Sequence, residues 1–85
     1  MSAGPRTVTL LGKPDCHLCH VMEEVVAPVL AERGIGLLVR DVRDDPEFLR
    51  RYRNDIPVLL EGEVELARHR VTPDELIARL AAPRE

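Results

Sequence analysis

The feature that most constrains the fold of this chain is the stretch at residues 12–20, Gly-Lys-Pro-Asp-Cys-His-Leu-Cys-His. It holds both cysteines, two of the three histidines and the only lysine in the sequence. Residues 7–11, just before it, are apolar and β-branched, which predicts a strand. Apolar residues within 21–26 recur at helical spacing, which predicts a helix. The two cysteines are therefore predicted to lie at a turn from a strand into a helix.

This turn places Cys16 and Cys19 on, or just before, the first turn of the predicted helix. The backbone N–H groups there are unpaired and the helix dipole is positive, so a thiolate is favoured over a thiol. Two thiols at this spacing can also close into a disulfide without rearranging the backbone. Because the thiolate is the form that attacks a disulfide, the pattern indicates redox chemistry.

Length and composition indicate one small domain spanning residues 1–85. Two closely spaced cysteines are too few to staple a secreted mini-protein, and in a chain that is not exported they are more often catalytic or metal-binding. The sequence shows no signal peptide and no apolar run long enough to span a membrane. The formal charge of −3 is mild and mixed in sign, which does not favour a nucleic-acid surface. We therefore expect a cytoplasmic monomer without membrane or nucleic-acid partners.

The remaining sequence predicts the element order βαβαββα. After the first strand we expect a helix from about residue 16 to 33, a strand at 36–42, a helix at 46–53, a hairpin of strands at 56–60 and 64–68, and a last helix from residue 73. Asp45 and Thr72 are the predicted caps of the two later helices, and Glu75 completes a capping box with Thr72. The right-handed crossover and the hairpin predict a four-stranded mixed sheet, with the first strand inside it and helices on both faces.

A resemblance to a known family rests on two motifs in this α/β pattern. The stretch Lys13-Pro14-Asp15-Cys16-His17-Leu18-Cys19 is followed about forty residues later by Ile56-Pro57-Val58. Over about residues 7–80 the chain resembles glutaredoxin-like members of the thioredoxin fold. Its Cys-x-Leu-Cys turn is similar to that of small, poorly characterised glutaredoxin-like proteins. The resemblance implies a thioredoxin-like α/β fold and a thiol–disulfide oxidoreductase.

The resemblance also implies a role for each motif residue. Cys16 is implied to be the nucleophile and Cys19 the resolving thiol. Ile56, Pro57 and Val58 are implied to present backbone to the substrate, with a cis bond before the proline. Lys13 matches the lysine that glutaredoxins carry three residues before the first cysteine. Independently of the resemblance, His17 adds an imidazole beside the pair. For Lys13 and His17 the alternative is an ordinary surface side chain.

The sequence leaves the substrate and the electron donor open. We expect no tightly bound cofactor, a disulfide-bearing protein or small molecule as substrate, and glutathione or a flavoprotein reductase as the donor. Two departures from glutaredoxins bear on the donor: His17-Leu18 replaces the usual Pro-Tyr, and Val71-Thr72 replaces a Gly-Gly pair before the last helix. The β-carbons of Val71 and Thr72 keep glutathione from approaching the backbone closely, so we predict weak glutathione binding.

Two other kinds of site fit part of the motif. The run from Cys16 to His20 also matches the attachment motif of c-type haem, which requires an exported and mostly helical chain. Cys16, Cys19 and His20 supply three ligands for zinc, whereas a structural zinc site takes four. His69, the remaining histidine, lies in a different predicted element. A structural or zinc-binding Cys/His module without redox turnover is therefore the alternative interpretation.

Overall fold

The computed structural model describes residues 6–82, and within them four strands and three α-helices follow the predicted order. They are β1 (Thr7–Gly12), α1 (His17–Glu32), β2 (Gly36–Asp41), α2 (Pro46–Tyr52), β3 (Val58–Glu61), β4 (Val64–Arg68) and α3 (Pro73–Ala81). The sequence did not predict a short 3-10 turn at Val42–Asp44. It ends β2 one residue earlier than predicted, because the Asp41 side chain accepts a hydrogen bond from the Arg43 backbone N–H at 2.8 Å.

The sheet is mixed, with the strand order β2-β1-β3-β4. β1 runs parallel to β2 and antiparallel to β3, and β3 and β4 form the antiparallel hairpin. The four-stranded mixed sheet with its first strand inside is therefore confirmed. β1 leads directly into the turn that carries the cysteines, so this turn lies at the end of a central strand.

Helices cover both faces of the sheet, as predicted. Alternate residues of β1 point to opposite faces: Val8 and Leu10 join a large apolar cluster beneath α1 and α3, whereas Leu11 joins a smaller cluster beneath α2. All three side chains are fully buried or nearly so. Complete burial of a leucine or valine side chain contributes about 1.5–3 kcal/mol, so β1 anchors both layers of the core.

The hairpin departs from the simple alternation expected of its second strand. Leu66 and Ala67 are neighbours in β4, yet both are buried in the same large cluster. The pairing of β3 with β4 shifts between Leu59 and Leu60, so an extra β4 residue is accommodated at this point. Such a β-bulge bends the strand and allows consecutive side chains to share a face.

The helix caps predicted from the sequence are present in the structure. Thr72 and Glu75 form the reciprocal capping box that begins α3, and the Asp45 side chain caps α2 with Pro46 in the first turn. Pro28 lies inside α1, which continues through it as one helix. β3 starts at Val58 and not at Ile56 as predicted, since Pro57 has no N–H to offer the ladder. Among residues 6–82, no helix has both the length and the apolar character that crossing a membrane requires.

Candidate functional site

Cys16 is the N-cap residue of α1, and its sulfur lies where the helix presents unpaired N–H groups. The turn after β1 is closed by a hydrogen bond from the Cys16 N–H to the Lys13 carbonyl at 3.1 Å. The Cys16 backbone is extended, and its Sγ accepts the Cys19 N–H at 3.2 Å. A sulfur in this position is a capping acceptor, and the same N–H stabilises its thiolate after reduction.

Cys16 and Cys19 are joined as a disulfide, with their Cα atoms 5.3 Å apart. This separation is within the usual range for disulfides. The two residues differ in access, because Cys19 is only 6% exposed whereas Cys16 is half-buried. An incoming thiol or disulfide therefore reaches Cys16 more easily than Cys19.

Gly12, the last residue of β1, is a site residue that the sequence analysis did not single out. A β-carbon built at Gly12 would lie 2.7 Å from the Cys19 sulfur and 2.9 Å from its β-carbon. Only a glycine leaves room for Cys19 at this distance. The available signal was a glycine at the end of a strand pattern, which often marks a close approach of another group.

The ionisable side chains of the motif differ in exposure and in hydrogen bonding. His17 is exposed at the first position of α1, and Lys13 is half-buried in the turn. His20 uses Nε2 to donate a hydrogen bond to the Pro14 carbonyl at 2.7 Å. Within residues 6–82, no group of three histidine, cysteine, aspartate or glutamate side chains is arranged to hold a metal ion.

Asp41, at the end of β2, has a strongly perturbed carboxyl group. Two hydrogen bonds from the Arg43 side chain, joined by one from the Arg43 backbone N–H, lower the pKa of Asp41 to about 2. The positive charge of Lys13 acts in the same direction as a smaller contribution. The Asp41 carboxyl group therefore stays ionised at neutral pH and holds the Arg43 side chain by hydrogen bonds.

The second motif lies at the same end of the sheet as the cysteines. Val58 pairs with Leu11 across β3 and β1, which places residues 56–58 beside the end of β1. The Ile56–Pro57 bond is cis, as the resemblance implies. Pro57 and Val58 are buried, whereas Ile56 is half-buried, and its backbone groups hydrogen-bond to no residue in the described part of the chain. The Pro57 carbonyl, in contrast, accepts the His69 N–H at 2.7 Å.

A cavity of about 190 Å³ lies beside the first turns of α1. It is lined by Leu18, Val21, Met22, Val25, His69, Arg70 and Val71. Leu18, which stands between the two cysteines, is 42% exposed, and Val21 is 39% exposed. His69 adopts a left-handed backbone conformation with φ of 71°, and this turn brings its neighbour Arg70 to the cavity. No sequence pattern predicted that Leu18 and His69 would line the same cavity.

The fold and the disulfide at the start of α1, with a cis-proline at the neighbouring strand, define a glutaredoxin-like protein of the thioredoxin fold. Residues 7–81 match the family described as Glutaredoxin-like domain (DUF836). The chain belongs to this family. No curated protein matches it.

Solved structures show the same fold. Protein Ne2328 from Nitrosomonas europaea is 25% identical with a TM-score of 0.74, and the match covers 92% of this chain and 94% of that one. NrdH-redoxin from Escherichia coli, a glutaredoxin-like protein with a thioredoxin-like activity profile, is 22% identical with a TM-score of 0.57, covering 93% and 99%. Thioredoxin 1 from Thermosipho africanus TCF52B is 19% identical with a TM-score of 0.63, covering 87% and 89%. The thioredoxin-like α/β fold that the sequence predicted is confirmed.

Proposed function

We propose that this protein is a thiol–disulfide oxidoreductase that reduces disulfides with the Cys16–Cys19 dithiol. The observation that carries the proposal is the difference between the two sulfurs. The Cys16 sulfur accepts an N–H at the start of α1 and is half-buried, whereas Cys19 lies behind it and is almost fully buried. One sulfur is thus suited to attack and the other to resolve.

The reaction follows from this asymmetry. The Cys16 thiolate attacks one sulfur of the substrate disulfide, the substrate S–S bond breaks, and one substrate thiolate leaves. Cys19 then attacks the Cys16 sulfur of the mixed disulfide and releases the second substrate thiol. Two electrons pass from the dithiol to the substrate, and the protein is left with the Cys16–Cys19 disulfide. A donor dithiol, or two donor thiols, must then restore the reduced protein.

The substrate is proposed to bind across Ile56, Leu18 and Arg70. The unpaired Ile56 backbone can take an extended chain as a short added strand. Leu18 and Val21 offer apolar surface next to Cys16, and the Arg70 side chain has no acidic partner among the described residues. These features favour a disulfide flanked by an apolar residue and an anionic group.

Glutathione is proposed to bind weakly, and no cofactor is proposed to be tightly bound. The last helix would have to offer its first N–H groups to a glutathione carboxylate. In this chain the Thr72 N–H donates to Glu75 at 3.0 Å and the Glu75 N–H donates to Thr72 at 3.1 Å. Arg68 is paired with Glu65 and Asp55, so it does not supply a free cation. A flavoprotein reductase is therefore the donor that we propose.

The test is a reduction assay of a model protein disulfide with each donor in turn. Glutathione with its reductase should give slow turnover, and a thioredoxin-reductase-type flavoprotein should give faster turnover. Cys16→Ser is the control, because it should abolish activity with either donor. Equal inactivity of the wild type and Cys16→Ser, together with one equivalent of zinc in the reduced protein, would favour a structural zinc-binding module instead. The monomeric state and the cytoplasmic location stay predictions.

A further inference from the structure

A second cavity, of about 140 Å³, opens beside Cys19 on the side of α1 that faces β2. Its lining is Leu10, Gly12, Lys13, Pro14, Cys19, His20, Glu23, Val39, Arg40 and Asp41. The cavity that holds Leu18 and Arg70 contains neither cysteine, so the two cavities are separate. Cys19 therefore has access to solvent on a side away from the proposed substrate surface.

Cys19 needs such an access if it is to resolve a mixed disulfide. Cys19 is only 6% exposed, and Leu10 and Val39 contribute apolar side chains to the cavity beside it. A thiol in apolar surroundings resists ionisation, yet the thiolate is the form that attacks. The Cys16 sulfur has the Cys19 N–H as a partner, whereas no hydrogen bond within residues 6–82 reaches the Cys19 sulfur. The groups that line the cavity are therefore the nearest candidates to take its proton.

Most of the ionisable groups that line the cavity are unsuited to take this proton. Lys13 and Arg40 are cations, and the Arg40 guanidinium lies over the Phe48 ring at 5.5 Å. Asp41 accepts three hydrogen bonds from Arg43, which lower its pKa to about 2 and make it a weak base. His20 is exposed and its Nε2 donates to the Pro14 carbonyl, which leaves Nδ1 as the ring nitrogen that can accept. His20 is therefore the competing acceptor, and the test below separates it from Glu23.

Glu23 differs from these groups. It lies four residues after Cys19 in α1, so the two side chains lie on the same face of the helix. Glu23 is half-buried and lines the same cavity. In the described part of the chain its carboxylate forms no hydrogen bond or ion pair. A free carboxylate at this place can accept a proton directly or through one water molecule in the cavity.

We infer that Glu23 is the proton acceptor for Cys19 in the resolving step, which rests on the oxidoreductase function proposed above. The Cys19 thiol gives its proton to the Glu23 carboxylate as its sulfur bonds to Cys16. The bond between Cys16 and the substrate breaks, and the substrate leaves as a thiolate. In the reverse direction the Glu23 carboxylic acid returns the proton to Cys19 when a donor thiolate attacks Cys16. No further oxidant or reductant enters the step.

The test separates the two steps by stopped-flow mixing of the reduced protein with an aromatic disulfide whose thiolate is coloured, dithiobis(nitrobenzoate). The first coloured thiolate reports attack by Cys16, and the second reports resolution by Cys19. Glu23→Gln should leave the first phase unchanged and slow the second by roughly tenfold or more. Glu24→Gln, an exposed neighbour outside the cavity, is the matched control and should change neither phase.

Two further readouts distinguish proton transfer from a structural effect. The second phase of the wild type should show a normal solvent deuterium isotope effect, and Glu23→Gln should lose it. In Glu23→Gln the rate constant of the second phase should rise about tenfold for each unit increase in pH, because hydroxide must then remove the proton. Glu23→Asp, which keeps the carboxylate, should recover part of the rate.

Three results would overturn the inference. A faster second phase in Glu23→Gln would mean that the carboxylate only repels the Cys19 thiolate. A slow second phase in His20→Gln with a normal one in Glu23→Gln would assign the role to His20. An unchanged second phase in both variants would leave the proton to bulk water. Absence of the first phase in the wild type would instead reject the proposed function itself.

Discussion

The Cys19 sulfur lies so close to the end of β1 that a β-carbon at Gly12 would approach it to 2.7 Å. Gly12 is separated from Cys19 by six residues in the chain, and the turn between them brings α1 back over the last residue of the strand. The atoms that this β-carbon would approach are the sulfur and the β-carbon of Cys19, which the disulfide holds in place. The Cys19 side chain therefore cannot change rotamer to make room for a β-carbon at residue 12.

Gly12→Ala should destabilise the oxidised protein by about 1–3 kcal/mol, the usual cost of overpacking a filled site. The measurement is denaturant unfolding of the oxidised form. Gly36→Ala is the control, because a β-carbon at Gly36 would meet its nearest atom at 3.6 Å, an ordinary contact. Equal stability of the two variants would show that the turn relaxes around Cys19.

Cys19→Ser should trap a mixed disulfide between Cys16 and a model disulfide substrate. Attack by Cys16 still occurs, but the thiol that would release the product is missing. Cys16→Ser should form no such adduct at an appreciable rate, because Cys19 is buried. Intact-mass spectrometry of both variants gives the result. If Cys16→Ser reacts faster than Cys19→Ser, the assigned roles of the two cysteines are reversed.

Arg70→Glu should weaken the use of anionic disulfide substrates and leave neutral ones unaffected. Arg70 lines the cavity beside Leu18 and has no acidic partner within residues 6–82, so its charge is free to act on a ligand. A roughly three- to fivefold rise in KM is expected at low salt, and it should shrink at high ionic strength. Arg53→Glu is the matched control, because Arg53 is another exposed arginine without an ion pair in that range and follows the last residue of α2. A similar KM for both variants would place substrate binding elsewhere.

Asp41→Asn should remove a pH-dependent contribution to stability. The Arg43 side chain and backbone N–H lower the pKa of Asp41 from 3.8 to about 2 in the folded protein. A lowered folded-state pKa stabilises the protein above the unfolded value, and this stabilisation is lost as the pH falls through the folded value. The difference in unfolding free energy between wild type and Asp41→Asn should therefore shrink from pH 4 to pH 2. Denaturant unfolding at each pH measures it.

Arg43→Gln provides the complementary check on the Asp41 contribution. Without the guanidinium the Asp41 pKa should return toward its ordinary value, so this variant should lose the same pH dependence. If the difference in unfolding free energy between wild type and Asp41→Asn stays constant between pH 4 and pH 2, the proposed contribution of the Asp41–Arg43 pair is contradicted.

The sequence predicted the elements well because their signals are local. Thr72 with Glu75 marks the start of α3 within four residues, and the alternation at Val8, Leu10 and Leu11 marks the two faces of β1. The β4 bulge was not predictable, because Leu66 gains its place from a register shift against β3. A strand pattern alone carries no information about that partner.

The candidate site divides in the same way. The Cys16–Cys19 pair at the start of a helix could be predicted from residues 7–26 of the sequence. The cavity beside Cys19 could not, because Val39 and Asp41 reach it from β2, some twenty residues away in the chain. The sequence predicts that Cys19 and Glu23 lie on one face of a helix, because they are four residues apart. It does not predict that both line one cavity, which is the observation that suggests a proton transfer.

The hydrogen bond from the His69 N–H to the Pro57 carbonyl reduces the number of main-chain hydrogen bonds that the protein can offer to the proposed substrate. With that carbonyl engaged within the fold, Ile56 is the member of the Ile56–Pro57 pair that keeps free backbone groups for an incoming chain. Recognition through the main chain then extends over about one residue of the substrate. The protein should consequently discriminate among disulfides by the chemistry immediately around them and tolerate wide variation in sequence farther away.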